Sequence, residues 1–219
     1  MTTKSEGMMI SGKLKWYAIL TLALWLTFSG VAAAEQLYVN ESGWWRDGGV
    51  FNVSTAPIQA AVGAADAGDS IYVWNGSYTD NVNVNKQLTL EGEGMDVVTV
   101  SMEDPGDHVF EVTADYVNLS GFTARGATDD NMAGIYLDNV DYCNISENNV
   151  YVNCFGIKLD SLSNNNTLTN NTASDNRVGI YLYRSNNNTL TNNTASDNIG
   201  TGIYMDSSSN YNTLTNNTA

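Results

Sequence analysis

Four Gly-Ile pairs recur in the second half of the chain, at Gly134, Gly156, Gly179 and Gly202, and the positions after them carry the side chains best suited to chemistry. The second residue after each glycine is Tyr136, Lys158, Tyr181 or Tyr204; the fourth is Asp138, Asp160, Tyr183 or Asp206, with Arg184 beside Tyr183. If the phrases are stacked strands, about 4.8 Å apart, these residues form a stripe of rings flanked by carboxylates. Aromatic faces and polar tips of that kind suit sugar rings, while tyrosine also simply fits a half-exposed strand. Two carboxylate pairs, Asp138 with Asp160 and Asp129 with Asp130, are of the type an inverting glycosidase holds roughly 6.5–9.5 Å apart. Lys158 and Arg184 are the only basic residues on the stripe, where a lyase would need basic groups beside calcium-binding acids. Glu103, Asp104 and Asp107 could hold calcium in a turn or form an ordinary solvated loop. A copper site wants soft ligands converging, and His108, Cys143 and Cys154 are widely separated along the chain.

The elements that must position this stripe are repeats. The glycine anchors step by 22, 23 and 23 residues, and a second anchor runs through Ile145, Leu168, Leu190 and Leu214. Three residues after each second anchor comes Asn148, Asn171, Asn193 or Asn217, and eight after it comes Asn153, Asn176 or Asn198. Each unit holds two short alternating stretches, of the type Gly-Ile-Tyr-Leu-Asp and Asn-Thr-Leu-Thr-Asn, and a weaker third around Thr172–Ser174. Alternation at period two between Asn, Ser and Asp turns predicts strands, with Ile and Leu inward and Tyr outward. The repeated asparagines are expected to turn corners and to bond up and down the stack as ladders. Leucine-rich repeats have a similar length but need more leucines than these units contain.

The period, the Gly-Ile-x-Leu strand and the asparagine at fixed offset resemble the repeats of the pectin-lyase-like fold. The segment AGDSIYVWNGSYTDNVNVNKQLTLEGEG, residues 67–94, resembles the opening coils of the NosD-like β-helix family of archaeal surface proteins. The resemblance implies an all-β, right-handed parallel β-helix with a short N-terminal capping helix. Beside the reading from the stripe, a non-catalytic surface protein binding polysaccharide or cell-envelope glycan, the resemblance implies two further functional classes: a polysaccharide lyase or glycoside hydrolase, and a periplasmic copper accessory protein. Of the polygalacturonase-like set of Asn-Thr-Asp, Asp-Asp, Gly-His and Arg-Ile-Lys, only Asp129-Asp130 is present. The first class is therefore the reading adopted, with no catalytic residue and no cofactor assigned.

Residues 1–34 read as an export signal: Lys13 and Lys15, an apolar run from Trp16 to Val31, then Ala32-Ala33-Ala34. This places the protein outside the cell or on its surface; a membrane is expected only through an uncleaved signal or a C-terminal anchor. Without Lys4, Lys13, Lys15 and Glu6, six basic and 23 acidic residues remain, a formal charge of −17 that repels nucleic acid. Residues 35–67 are expected to be a lead-in plus a helix capped by Ser54 or Thr55, with Pro57 in its first turn, an apolar face of Ile58, Ala61, Val62 and Ala65, and Gly68 as its stop. Residues 68–219 are the repeats, with longer acidic loops at Ser101–His108 and Arg125–Ala133. The array breaks off at Thr218-Ala219 halfway through a unit, which reads as a fragment of a longer protein. Cys143 and Cys154 fall on different walls of one coil and are expected to be free core thiols. Ten Asn-x-Ser/Thr sequons start at Asn40, Asn52, Asn75, Asn118, Asn144, Asn165, Asn170, Asn187, Asn192 and Asn216, of which Asn40 and Asn75 are the favoured glycan acceptors.

Overall fold

The computed structural model describes residues 33–206 and 208–219, so the export-signal reading lies almost wholly outside the described residues. From Ala34 onward the chain is one compact unit. The lead-in forms β1 (Gln36–Asn40), β2 (Gly43–Arg46) and β3 (Asn52–Val53), followed by α1 (Pro57–Ala64). Three coils of three strands follow: β4 (Ser70–Val73), β5 (Gly76–Thr79), β6 (Val82–Val84); β7 (Thr89–Gly92), β8 (Val98–Ser101), β9 (Phe110–Val112); and β10 (Asn118–Ser120), β11 (Thr123–Arg125), β12 (Ala133–Asp138). A fourth holds β13 (Asn144–Ser146), β14 (Asn149–Tyr151) and β15 (Phe155–Asp160). The fifth and sixth hold β16 (Thr167–Thr169) with β17 (Val178–Leu182), and β18 (Thr189–Thr191) with β19 (Thr201–Met205), before β20 (Thr213–Thr215).

Strands from successive coils pair in parallel into three walls. Wall A runs β4-β7-β10-β13-β16-β18-β20, wall B runs β5-β8-β11-β14, and wall C runs β6-β9-β12-β15-β17-β19. Wall B continues as single parallel bridges from Asn149 through Thr172 and Thr194 to Thr218, the weak third stretch of the sequence. Parallel strands joined by crossovers take the right-handed sense, and the fold is a right-handed parallel β-helix of about six turns.

Period-two alternation stacks like on like. Ile135, Ile157, Ile180 and Ile203 are in register, as are Leu137, Leu159, Leu182 and Met205. The first three of each row are wholly buried. At the corners the asparagines behave as expected and more extensively. Asn171 Nδ2 donates to Ile145 O (2.8 Å) and to Asn193 Oδ1 (3.0 Å), while its Oδ1 accepts from Asn148 N and Nδ2 (3.1 Å each). A second ladder joins Asn153, Asn176 and Asn198. A third, not anticipated, runs from the Cys143 N–H through Asn166 and Asn188 to Asn212. The Gly-Ile glycine makes room for the second ladder: a Cβ on Gly156 would lie 2.5 Å from Gly179 O and 2.8 Å from Asn176 Nδ2.

The N-terminal end differs from expectation in three ways. The lead-in is itself β structure: β1 pairs parallel with β4, and β2 and β3 add antiparallel strands, prolonging wall A. The helix caps the first coil as expected, burying Pro57, Ile58, Ala61 and Val62, but neither Ser54 nor Thr55 caps it. The capping acceptor comes from that first coil instead, where Asp80 Oδ2, between β5 and β6, accepts from Ile58 N (3.1 Å) and Gln59 N (3.0 Å). The helix also ends before Gly68, with Ala65 extended at its C-cap. Both cysteines are free and buried, on walls A and C.

Candidate ligand-binding face

The stripe lies on the outer surface of wall C. Parallel pairing aligns Glu111, Tyr136, Lys158, Tyr181 and Tyr204 in one column across five consecutive strands. Asp138 and Asp160 pair in the next outward column, which continues to Tyr183 and Asp206. All nine residues expected from the sequence therefore lie on wall C or at its margin.

The geometry changes what the stripe can offer. The Tyr181 and Tyr204 rings are 5.3 Å apart and within 6° of parallel, and Phe155 stacks on Tyr181 at 5.3 Å and 19°. The ring faces are thus turned toward one another along the helix axis. Stacking covers the faces that Phe155, Tyr181 and Tyr204 share, so between these rings a ligand meets edges and hydroxyls rather than the open faces the sequence suggested. Lys158 is also not a free cation: it is 8% exposed, its Nζ is 2.9 Å from Asp160, and it lies 5.1 and 5.3 Å from the Tyr136 and Phe155 ring centres. Asp160 additionally accepts from Ser161 N at 2.6 Å. Arg184 is exposed, with its guanidinium 5.0 Å from the Tyr183 ring centre.

Two neighbours were missed because loop and register bring them in. His108 ends the acidic Ser101–His108 loop, stacks on Tyr136 at 4.1 Å, and accepts at Nδ1 from Ala133 N (2.9 Å). Its proton is then on Nε2, and burial, seconded by Lys158, lowers its pKa to about 4, so it is neutral at pH 7. Burial likewise raises Glu111, with Asp107 and Asp138 adding to it. Burial first, then nearby carboxylates, push the Tyr136 and Tyr181 phenols upward, Tyr136 also bonding Asp138. Both phenols are therefore hydroxyl donors at neutral pH, set among carboxylate acceptors.

A stack of coils with one polar, aromatic wall defines the class as a parallel β-helix. The family described as periplasmic copper-binding protein (NosD) matches residues 59–219, and the chain belongs to that family. A cell surface glycoprotein of Methanothermus fervidus is 29% identical over 142 residues, covering 62% of this chain and 21% of that protein. Among solved structures, the Dettilon tailspike protein matches with a TM-score of 0.58 at 15% identity, over 73% of this chain and 34% of its own. The A-module of the Azotobacter vinelandii mannuronan C-5 epimerase AlgE4 matches at 0.52 and 17% identity, over 67% and 53%. These likenesses show the fold, and the chain spans about a fifth of the surface glycoprotein it resembles.

The residues present do not fit the copper of the family description. Cys143 is enclosed in wall A with its Sγ 3.4 Å from Ala114 O, and burial pushes its thiol up to about 11. Cys154 is at the start of wall C, and His108 Nδ1 is already engaged. Among the described residues no group of three or more His, Cys, Asp or Glu is placed to hold a metal ion.

Proposed function

We propose that this chain is a non-catalytic β-helix of an exported or cell-surface protein and that its wall C binds an extended polysaccharide. The observation that carries this reading is the register column of Tyr136, Tyr181 and Tyr204, interrupted only by Lys158, with carboxylates in the column beside it. Hydroxyl donors beside carboxylate acceptors match sugar hydroxyls, which both donate and accept. Strand repetition at about 4.8 Å gives a rigid row with little ordering entropy left to lose on binding. The surface assignment draws on the Methanothermus fervidus relative, named a cell surface glycoprotein.

The test uses neutral and acidic polysaccharide arrays with the wild type and Tyr181→Phe/Tyr204→Phe, which keeps the stacked rings and removes the hydroxyls. Each lost bond to a ligand is worth about 1 kcal/mol, so the double variant should bind roughly tenfold or more weakly. Undiminished retention by this variant and by the Tyr136, Tyr181, Tyr204 triple alanine would overturn the proposal.

One observation favours a second reading, cleavage of a uronate polysaccharide by elimination. His108, Tyr136 and the Lys158–Asp160 pair meet at one place, setting neutral proton carriers beside an ion pair in which a uronate carboxylate would have to displace Asp160 from Lys158. It predicts ultraviolet absorbance from a new conjugated double bond, lost in Tyr136→Phe. No absorbance change on any uronate polymer would remove it.

A further inference from the structure

Five sequons, at Asn165, Asn170, Asn187, Asn192 and Asn216, share one backbone setting. Each acceptor asparagine stands at a corner with φ between 54° and 57°, in the left-handed region. The next residue, Asn166, Asn171, Asn188, Asn193 or Asn217, is the ladder asparagine, so the double asparagine divides its labour. The ladder amide points into the stack and is consumed there, as when Asn193 Nδ2 donates to Leu168 O at 2.9 Å. The corner amide points away and makes no hydrogen bond, and Asn170, Asn187, Asn192 and Asn216 are exposed. Of the threonines two positions on, Thr189 and Thr218 are exposed and Thr167, Thr172 and Thr194 are half-buried.

Other sequons are built differently. Asn40 Oδ1 accepts from Ser42 N (2.9 Å), Asn52 Nδ2 donates to Val50 O (2.9 Å), and Asn118 Nδ2 donates to Thr89 Oγ1 (3.3 Å) within β10. Asn144 is half-buried inside β13. Of the two acceptors favoured from sequence, only Asn75 has an exposed, unbonded amide.

We infer that the two corner columns flanking β16, β18 and β20, Asn165/Asn187 and Asn170/Asn192/Asn216, are an N-glycan attachment edge of the folded protein. In the transfer, Asn Nδ2 forms a bond to the anomeric carbon of a sugar carried on a polyprenyl phosphate lipid. The bond from that carbon to the phosphate oxygen breaks with its electron pair on the phosphate, and the amide proton leaves to a base of the transferase. The Asn170/Asn192/Asn216 corner turns from wall A toward wall B, away from the stripe, whereas the Asn165/Asn187 corner is the turn from wall C into wall A, next to Tyr183 and Arg184. In the cell this requires the exported location proposed above, but the chemistry can be tested without it.

Purified, folded full-length chain is incubated with archaeal membranes containing oligosaccharyltransferase and its lipid-linked donor, a short sequon peptide serving as control acceptor in the same tube. Glycopeptide mass spectrometry should place sugar on the corner asparagines and on Asn75, with Asn40, Asn52 and Asn118 unmodified; in urea-unfolded chain this preference should disappear. Thr189→Ala and Thr194→Ala should remove the sugars of Asn187 and Asn192 while the thermal midpoint stays unchanged. Bare corners in a reaction that modifies the control peptide would overturn the inference, and so would equal occupancy of Asn52 and Asn118. Polysaccharide retention by wall C is unaffected by either result.

Discussion

Asn192 and Asn193 are chemically identical neighbours with opposite fates. Asn193 gives its amide to Leu168 O and Asn217 Oδ1 and accepts from Asn171 N and Nδ2, all within 3.0 Å. Removing it leaves buried backbone groups unpaired, at about 1–3 kcal/mol for each. Asn193→Ala should therefore destabilise by about 3–5 kcal/mol, seen as a large fall in the urea midpoint. Asn192→Gly removes no bond and keeps the left-handed corner, so it should move stability by less than about 0.5 kcal/mol. Similar midpoints for the two variants would refute a structural ladder. The ladder was legible in the sequence because its spacing repeats with the coil. The orientation of the stripe was not: alternation shows that Tyr181 and Tyr204 point outward, but not that their faces close on each other. His108 was unreadable as a neighbour of Tyr136, since a loop rather than a repeat carries it there.

Among the elements, the repeated strands of walls A and C were legible because the Ile and Leu rows recur in register. The joint between α1 and the first coil was not, because its cap comes from Asp80 rather than from a local serine. That carboxyl is 1% exposed, and burial above all pushes its pKa up to about 6, with Glu103 adding to it. The folded chain thus holds this proton more tightly than the unfolded chain, where the carboxyl titrates near 3.8. Its contribution is fully present below about pH 4 and is lost as pH rises through about 6. His108, lowered from 6.5 to about 4, acts in the opposite sense: its contribution is present above 6.5 and lost as pH falls through 4. The two slopes oppose each other over the same window. Asp80→Asn should leave a stability that rises from pH 4 to 6.5, by up to about 3 kcal/mol. His108→Gln should leave one that falls over that range. Thermal midpoints at half-unit pH steps decide it, and three parallel curves would refute both assignments.

At the scale of the molecule, each coil touches only its neighbours, so stability is a sum of coils and interfaces rather than a property of one core. The sum is uneven along the axis. The inward-facing core side chains from Leu37 to Leu190 are buried, whereas Ile203 is only partly covered, Met205 and Leu214 are each 40% exposed, and all three residues of β20 are exposed. At the other end α1, β1 and Asp80 cover the first coil. Local opening should therefore begin at β19 and β20 and progress toward the helix. Amide hydrogen exchange on the 219-residue chain should show protection rising from β20 through β18 and β16 to a plateau at the central strands. Asn193→Ala should lower protection in β16, β18 and β20 while leaving β4 and β7 at wild-type rates. Because coupling passes only between adjacent coils, uniform loss of protection along the chain would show instead that the β-helix unfolds as one cooperative unit.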